Sequence, residues 1–392
     1  MKRRKWLYLL GGFSGLVGWL LFVLACTGWP AWSPDSRKVL FPYFNPDSRN
    51  SGIALYDQAT GTVMPVFHEL TAESNPTIPY AQFSQDGKQI IVALMTGHED
   101  MTDEVLLLPA EGNKSARRFV LPESKQFCFP PFPQYGNDLF IGLSYIARLN
   151  LKTGAVETKE LSGGKGIHLI PDGEHVWYVM YDLQREGHDE DDGFQVGELN
   201  RNDLSLKSLF EVWDSDLRSR GITHANILGF TPLPDGSGLV TSARVGDDAA
   251  LVFFNRAGQD RVVKPQLPGK GYRLGGLAWS ADGKTIYTTA IASGKKEGQA
   301  DFSVAEIPVN GGPARLTWIA RLIPSPPRDN DPASFDVFLQ VSLSPDGHTL
   351  ATTTGFLDRK NLAKEDRALY LIDLRDSCRK VTKQPIPQGD QE

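Results

Sequence analysis

Leu343-Ser344-Pro345-Asp346-Gly347-His348-Thr349-Leu350 holds a complete reversal of chain direction. Proline presets φ for the second position of a β-turn. The Asp side chain accepts a hydrogen bond from the backbone N–H two residues on. Glycine takes the φ > 0 position that strains a residue bearing a Cβ. The chain is then free to run back as a strand. Working outward, the same device recurs at Trp32-Ser33-Pro34-Asp35-Ser36, Phe83-Ser84-Gln85-Asp86-Gly87, Leu169-Ile170-Pro171-Asp172-Gly173, Pro234-Asp235-Gly236 and Trp279-Ser280-Ala281-Asp282-Gly283. A degenerate copy, Phe132-Pro133-Gln134-Tyr135-Gly136, has Tyr135 where Asp is expected. With the Asp position as the mark, the spacings are 51, 49, 37, 63, 47 and 64 residues.

Each turn is followed by a second short apolar strand and another turn, as in Ala54-Leu55-Tyr56-Asp57 ending at Thr60-Gly61 and Val304-Ala305-Glu306-Ile307 ending at Gly311-Gly312. A third strand follows, such as Val63–Val66. With the strand before the turn, each unit contains four. Units of this length suit the four-stranded blades of a propeller, which need about 40–50 residues. A helical solenoid would show a 3.6-residue apolar period, and these segments do not. The expected fold is all-β: a seven-bladed β-propeller, or a six-bladed one with one irregular insertion. Asp35, Asp86, Gly87, Asp172, Gly173, Asp235, Gly236, Asp282, Gly283, Asp346 and Gly347 are its structural turn residues. Trp32 and Trp279 recur at one unit position, which points to packing between blades.

Repeats of Ser-Pro-Asp-Gly-x-x-apolar, followed by a strand such as Leu369-Tyr370-Leu371-Ile372-Asp373, resemble the WD40-like repeats of the TolB propeller family. The resemblance covers roughly residues 29–383 and implies a β-propeller. Tyr135 and Ser36, which stands in for glycine, depart from the pattern. TolB itself has an α/β domain before its propeller, for which there is no room here. The hydrolase domain that accompanies such propellers in prolyl-oligopeptidase-like enzymes needs a Gly-x-Ser-x-Gly elbow, which is not present. No strand exchanged between the chain ends is evident.

Residues 1–26 read as a signal peptide or membrane anchor, 27–383 as the propeller and 384–392 as a polar tail. Lys2, Arg3, Arg4 and Lys5 precede an uncharged run from Trp6 to Ala25, long enough to span a bilayer as a helix. Positive flanks stay inside, so the body is expected outside the cytoplasmic membrane and close to it. Val23-Leu24-Ala25-Cys26 resembles the lipobox of bacterial lipoproteins, which would make Cys26 the lipid attachment site. An uncleaved helix and ordinary cleavage are the other readings. The expected address is the bacterial cell envelope, with the body facing the periplasm or cell exterior.

The net charge is −6, and −10 once the four N-terminal cations are set aside. A body that acidic does not neutralise phosphates, so nucleic acid is not an expected partner. Three cysteines make no disulfide framework, and Cys128 and Cys378 read as buried thiols. No catalytic constellation emerges. His168 and His224 precede Pro-Asp-Gly turns, and some propeller-type sugar lyases similar to this repeat family use channel histidines with a divalent metal. These two are the channel candidates for a metal, against the plainer reading of hydrogen-bonded structural histidines. The acidic run His188-Asp189-Glu190-Asp191-Asp192-Gly193 and Asp329-Asn330-Asp331 invite Ca²⁺ but lack the ligand spacing of a Ca²⁺ loop, and a solvated tip is the simpler reading. No cofactor is expected beyond this possible Ca²⁺ or other divalent metal. The expected function is a non-enzymatic binding or scaffold propeller, tethered to the membrane and presenting loops to an envelope protein or small ligand. The alternative is a metal-dependent lyase or hydrolase acting on glycans through the channel.

Overall fold

Around every copy of the turn the chain builds one antiparallel sheet from consecutive strands. The computed structural model describes residues 29–387 except 46–49, 70–77, 96–103, 112–115, 123–130, 162–165, 186–187, 224, 226–228, 294–299, 323–338 and 355–365. Blade 1 is β1 (Ala31–Trp32), β2 (Lys38–Asn45), β3 (Asn50–Asp57) and β4 (Thr62–Glu69). Blade 2 is β5 (Ile78–Phe83), β6 (Gln89–Met95), β7 (Glu104–Pro109) and β8 (Arg117–Val120). Blade 3 is β9 (Gln134–Tyr135), β10 (Asp138–Gly142), β11 (Tyr145–Asn150) and β12 (Val156–Glu160). Blade 4 is β13 (Ile167–Asp172), β14 (His175–Arg185), β15 (His188–Leu199) and β16 (Leu206–Trp213). A short helix, α1 (Asp214–Ser219), leads to blade 5. There β17 (Ile222–Thr223) and β18 (Thr231–Pro232) both pair with β19 (Gly238–Val245), followed by β20 (Asp248–Asn255) and β21 (Asp260–Val263). Blade 6 is β22 (Arg273–Trp279), β23 (Thr285–Ser293), β24 (Ala300–Pro308) and β25 (Arg315–Leu322). Blade 7 is β26 (Val341–Leu343), β27 (Thr349–Thr353), β28 (Ala368–Asp373) and β29 (Val381–Pro385).

Fourth strands form the rim: β12 is exposed at every residue, and β8 at all but Phe119. First strands lie at the axis, where those of adjacent blades approach one another. Both faces of each sheet are covered by its neighbours, so side chains of alternate parity go to opposite junctions. In β2, Leu40 points to blade 2, while Val39, Phe41 and Tyr43 point to blade 7. Seven apolar clusters result, one at each junction. Fully burying one Val, Leu or Ile stabilises the fold by about 1.5–3 kcal/mol, so these junctions supply the main driving force.

The ring has seven blades, and the six-bladed alternative falls. It shuts without exchanging a strand. Trp32, Val39, Phe41 and Tyr56 of blade 1 pack with Ala351, Leu369 and Leu371 of blade 7. Trp32 Nε1 donates to the Ser342 carbonyl (3.1 Å), and Gln384 Nε2 to Tyr56 Oη (3.4 Å). The Asp346 N–H donates to Ser36 Oγ (2.9 Å). Ser36 has φ 60°, so it occupies the glycine conformation and also contributes a closing hydrogen bond.

The turn chemistry holds in five blades. The N–H groups of Arg37, Lys88, Ser237, Lys284 and His348 donate to Asp35, Asp86, Asp235, Asp282 and Asp346 at 3.0–3.1 Å. Blades 3 and 4 differ. Tyr135 pairs with Asp138, and Asp172 pairs with His175, leaving two-residue turns. Gly136 (φ 60°) and Gly173 (φ 55°) occupy the first central positions, as such tight hairpins favour. Asp172 therefore ends a strand, and its Oδ2 accepts from Trp177 Nε1 (2.8 Å).

Other expectations are corrected. Cys378 is exposed, in the polar turn between β28 and β29. The last strand runs to Pro385, two residues into the segment read as tail. The acidic run stands at the tip of the β14–β15 hairpin, the place expected of it, with His188 paired to Arg185 and Asp192 to Gln184. Cys26, Cys128, His224, the apolar run Trp6–Ala25 and Asp329-Asn330-Asp331 lie outside the described residues.

Candidate functional site

The antiparallel strand order gives the ring two unlike faces. First-to-second and third-to-fourth connections share one face and run 2 to 7 residues. Second-to-third and blade-to-blade connections share the other, with stretches as long as the 18 residues from 323 to 340. These are called the turn face and the loop face below.

On the turn face, a serine two positions before Asp ties the turn together in four blades. Ser33, Ser84, Ser280 and Ser344 donate Oγ–H to Asp35, Asp86, Asp282 and Asp346 at 2.6–2.7 Å. The same oxygens accept the N–H groups of Lys38, Gln89, Thr285 and Thr349 at 2.9–3.0 Å. In blade 5, Leu233 takes the serine position, and Ser237 Oγ donates to Asp235 instead (2.6 Å). The serine hydroxyl is the largest influence holding the Asp35, Asp86, Asp235 and Asp282 carboxyls below the usual range. At Asp346, burial is the largest influence and acts upward, but the hydrogen bonds prevail. The role of these serines was missed in the sequence, although their recurrence two residues before Asp was its signal.

Buried hydroxyls on the second strands are bonded to backbone carbonyls nearer the axis. Ser242 Oγ of β19 donates to the Gly275 carbonyl of blade 6 (3.1 Å). Thr289 Oγ1 of β23, at the same distance from its own turn, donates to the Leu339 carbonyl entering blade 7 (2.7 Å). Thr352 Oγ1 donates to the Gln340 carbonyl (2.8 Å). These hydroxyls act as latches between strands, since a buried O–H must find an acceptor.

His168 lies on β13 and is 1% exposed. It shares strand parity with Ile170, which packs toward blade 5, so it faces that junction. Burial depresses its pKa to about 4, leaving the imidazole neutral at ordinary pH and a weak general base. A neutral imidazole can ligate a metal. Among the described residues no three His, Cys, Asp or Glu side chains are grouped to hold one. His224 follows β17, at the interruption in the first strand of blade 5, but is itself outside the described residues.

No family model matches the chain, and no curated protein matches it in sequence. Solved structures with similar folds include a proposed 6-phosphogluconolactonase from Bacteroides fragilis, 15% identical, covering 88% of this chain and 93% of its own, TM-score 0.46. Sqt1 from Saccharomyces cerevisiae is 12% identical, covering 91% and 84%, TM-score 0.49. An oligogalacturonate lyase in complex with manganese is 11% identical, covering 94% and 77%, TM-score 0.40. With TM-scores below 0.5, none of them carries an argument about this chain's activity. Its own seven sheets make it a β-propeller.

Proposed function

We propose that the protein is a binding propeller of TolB-like repeats, tethered to the bacterial membrane by its N-terminal segment and presenting its loop face to an envelope protein. The observation that carries this reading is the asymmetry of the faces. The turn face is built from short, internally bonded turns, and the longest connections gather on the opposite face. Long loops on a rigid scaffold are where recognition surfaces form. The tether is compatible with this arrangement. β1 has only two residues, and the chain enters it at the axis from the loop-face side, so the N-terminal segment joins on that side.

Photo-crosslinking in the cell envelope tests the reading. A photoreactive residue at Asp247, exposed in the β19–β20 turn on the loop face, is expected to trap a discrete envelope protein. The same residue at Glu174 or Lys284, exposed on the turn face, is not. Adducts from the turn face alone would overturn the assignment. Stoichiometric transition metal in the purified full chain would overturn it in favour of a metal-dependent lyase or hydrolase. The mass of the mature protein decides the anchor: loss of residues 1–25 with acyl chains added at Cys26, or retention of the full length.

A further inference from the structure

At five of the seven junctions, the turn of one blade meets that of the blade before it. The Cβ position of Gly87 lies 3.2 Å from Pro34 Cδ, that of Gly283 3.4 Å from Pro234 Cγ, and that of Gly347 3.3 Å from Ala281 Cβ. Gly236 approaches Asp172 Oδ2 in the same way (3.6 Å), and Ser36 bonds Asp346. At the junction of blades 3 and 4, Tyr135 fills the gap: its Oη donates to the His175 carbonyl (2.6 Å), under the guanidinium of Arg201. At the junction of blades 2 and 3 the two turns are joined by hydrogen bonds of Gln85 to Gln134 and Gly136, the Cβ position of Gly136 meets nothing within 4 Å, and an opening remains beside the bridge.

The opening is a cleft of about 410 Å³ on the turn face, away from the loop face. Small-molecule sites run from about 300 to 1,000 Å³. One wall is fixed by a glutamine bridge. Gln85 N–H donates to Gln134 Oε1 (3.1 Å), Gln85 Nε2 to the Gln134 carbonyl (2.7 Å), and Gly136 N–H to Gln85 Oε1 (3.2 Å). Arg117 enters from the rim strand β8, held by the Lys152 carbonyl (3.0 Å) and lying 5.1 Å from the Phe119 ring centroid. Lys152 enters from the β11–β12 turn. Among the described residues, neither cation has an ion-pair partner, and the carboxamides of Gln89 and Asn137 in the lining are unengaged. Asp86 adds a carboxylate whose Oδ1 is committed to Ser84 and Lys88, leaving Oδ2.

We propose that this cleft binds a small sugar acid, one carboxylate on a polyhydroxylated body. Two cations from different blades hold the carboxylate. The carboxamides of Gln89 and Asn137 both donate and accept, as hydroxyl groups require, and Asp86 Oδ2 accepts a further O–H. Asp86 disfavours a compact dianion such as phosphate, and every lining residue but Leu151 and Gly136 carries a polar or charged side chain.

Calorimetric titration of the full chain in detergent tests this, with D-glucuronate as the probe and glucose and inorganic phosphate as comparisons. Glucuronate is expected to bind, with glucose at least about tenfold weaker. Arg117→Gln and Lys152→Gln should each weaken glucuronate by about tenfold, with unchanged circular dichroism and unfolding midpoint. Both residues are exposed, so neither change disturbs the core. No heat from glucuronate at about 10 mM would overturn the proposal, as would phosphate binding more tightly or variants that bind glucuronate as well as the unaltered protein does. None of these outcomes bears on the loop-face crosslinks, so the two readings fail separately.

Discussion

Ser36→Ala perturbs ring closure at a single atom. Ser36 sits at φ 60°, is 9% exposed, and accepts the Asp346 N–H at 2.9 Å across the junction of the first and last blades. Alanine keeps the left-handed conformation, which costs a residue with a Cβ roughly 1–2 kcal/mol. It also leaves the part-buried Asp346 N–H without its acceptor, a loss of about 1–2 kcal/mol. Ser36→Gly loses the same hydrogen bond but relieves the left-handed strain, less about 0.5–1 kcal/mol of added unfolded-chain entropy. The expected order of stability is serine, then glycine within about 1 kcal/mol, then alanine about 1–2 kcal/mol below serine. Urea unfolding followed by tryptophan fluorescence reads the midpoints, with the slope checked for constancy. Alanine as stable as serine, or glycine as the least stable of the three, would refute the closing role of the hydroxyl.

Ser344→Ala removes a donor to Asp346 (2.6 Å) and an acceptor for the Thr349 N–H (2.9 Å), and should lower stability by about 1–2 kcal/mol in the same assay. Gly276→Ala places a methyl group on the buried Gln340 carboxamide, and should cost about 1–3 kcal/mol; adding Gln340→Ala should recover part of that loss, a non-additivity read by a double-mutant cycle. Glu306→Gln weakens the paired contacts from Arg379 (both 2.8 Å) that join blades 6 and 7, and should cost about 1–3 kcal/mol. His168 has a pKa of about 4 when folded against 6.5 when exposed, so below 6.5 the unfolded chain takes up the proton first. Its contribution is full above pH 6.5 and is lost as the pH falls toward 4, by about 3 kcal/mol at most. His168→Gln should flatten that decline in unfolding midpoints measured across the same pH range.

The turns were legible because proline, aspartate and glycine act on the backbone within a few residues, with little help from the rest of the fold. The four-strand unit was legible for a related reason, since apolar runs and turn residues set its punctuation. Closure was not, because the Ser36–Asp346 bond joins residues 310 apart in the chain. In isolation Ser36 looks like a worn glycine. Cys378 was misread by its residue type, although Asp376-Ser377 before it and Arg379 after it already described a polar turn. Asp172 matched the repeat in letters yet belongs to a tighter hairpin, because strand pairing runs on to Asp172 and His175 and the Trp177 indole claims its carboxylate. His168 was placed on an inner strand from its position before the turn. Its near-complete burial depends on the packing of blades 4 and 5 and has no local signature.

Repeats constrain one another, so departures from the shared pattern locate what is particular to this chain. Tyr135 shows the logic in full. An aspartate there would wrap the turn as it does in five other blades. The aromatic side chain instead reaches blade 4 through its hydroxyl and takes Arg201 on its ring. The shortened turn that accompanies it touches blade 2 through the Gln85 bridge and leaves beside it the cleft whose cations the proposed ligand would use. If the cleft were merely an unfilled gap, restoring a longer turn from another blade would improve packing at no other cost. If it is a binding site, the same graft should raise stability and abolish glucuronate binding together. That paired outcome separates a lapse in the repeat from a function built on it.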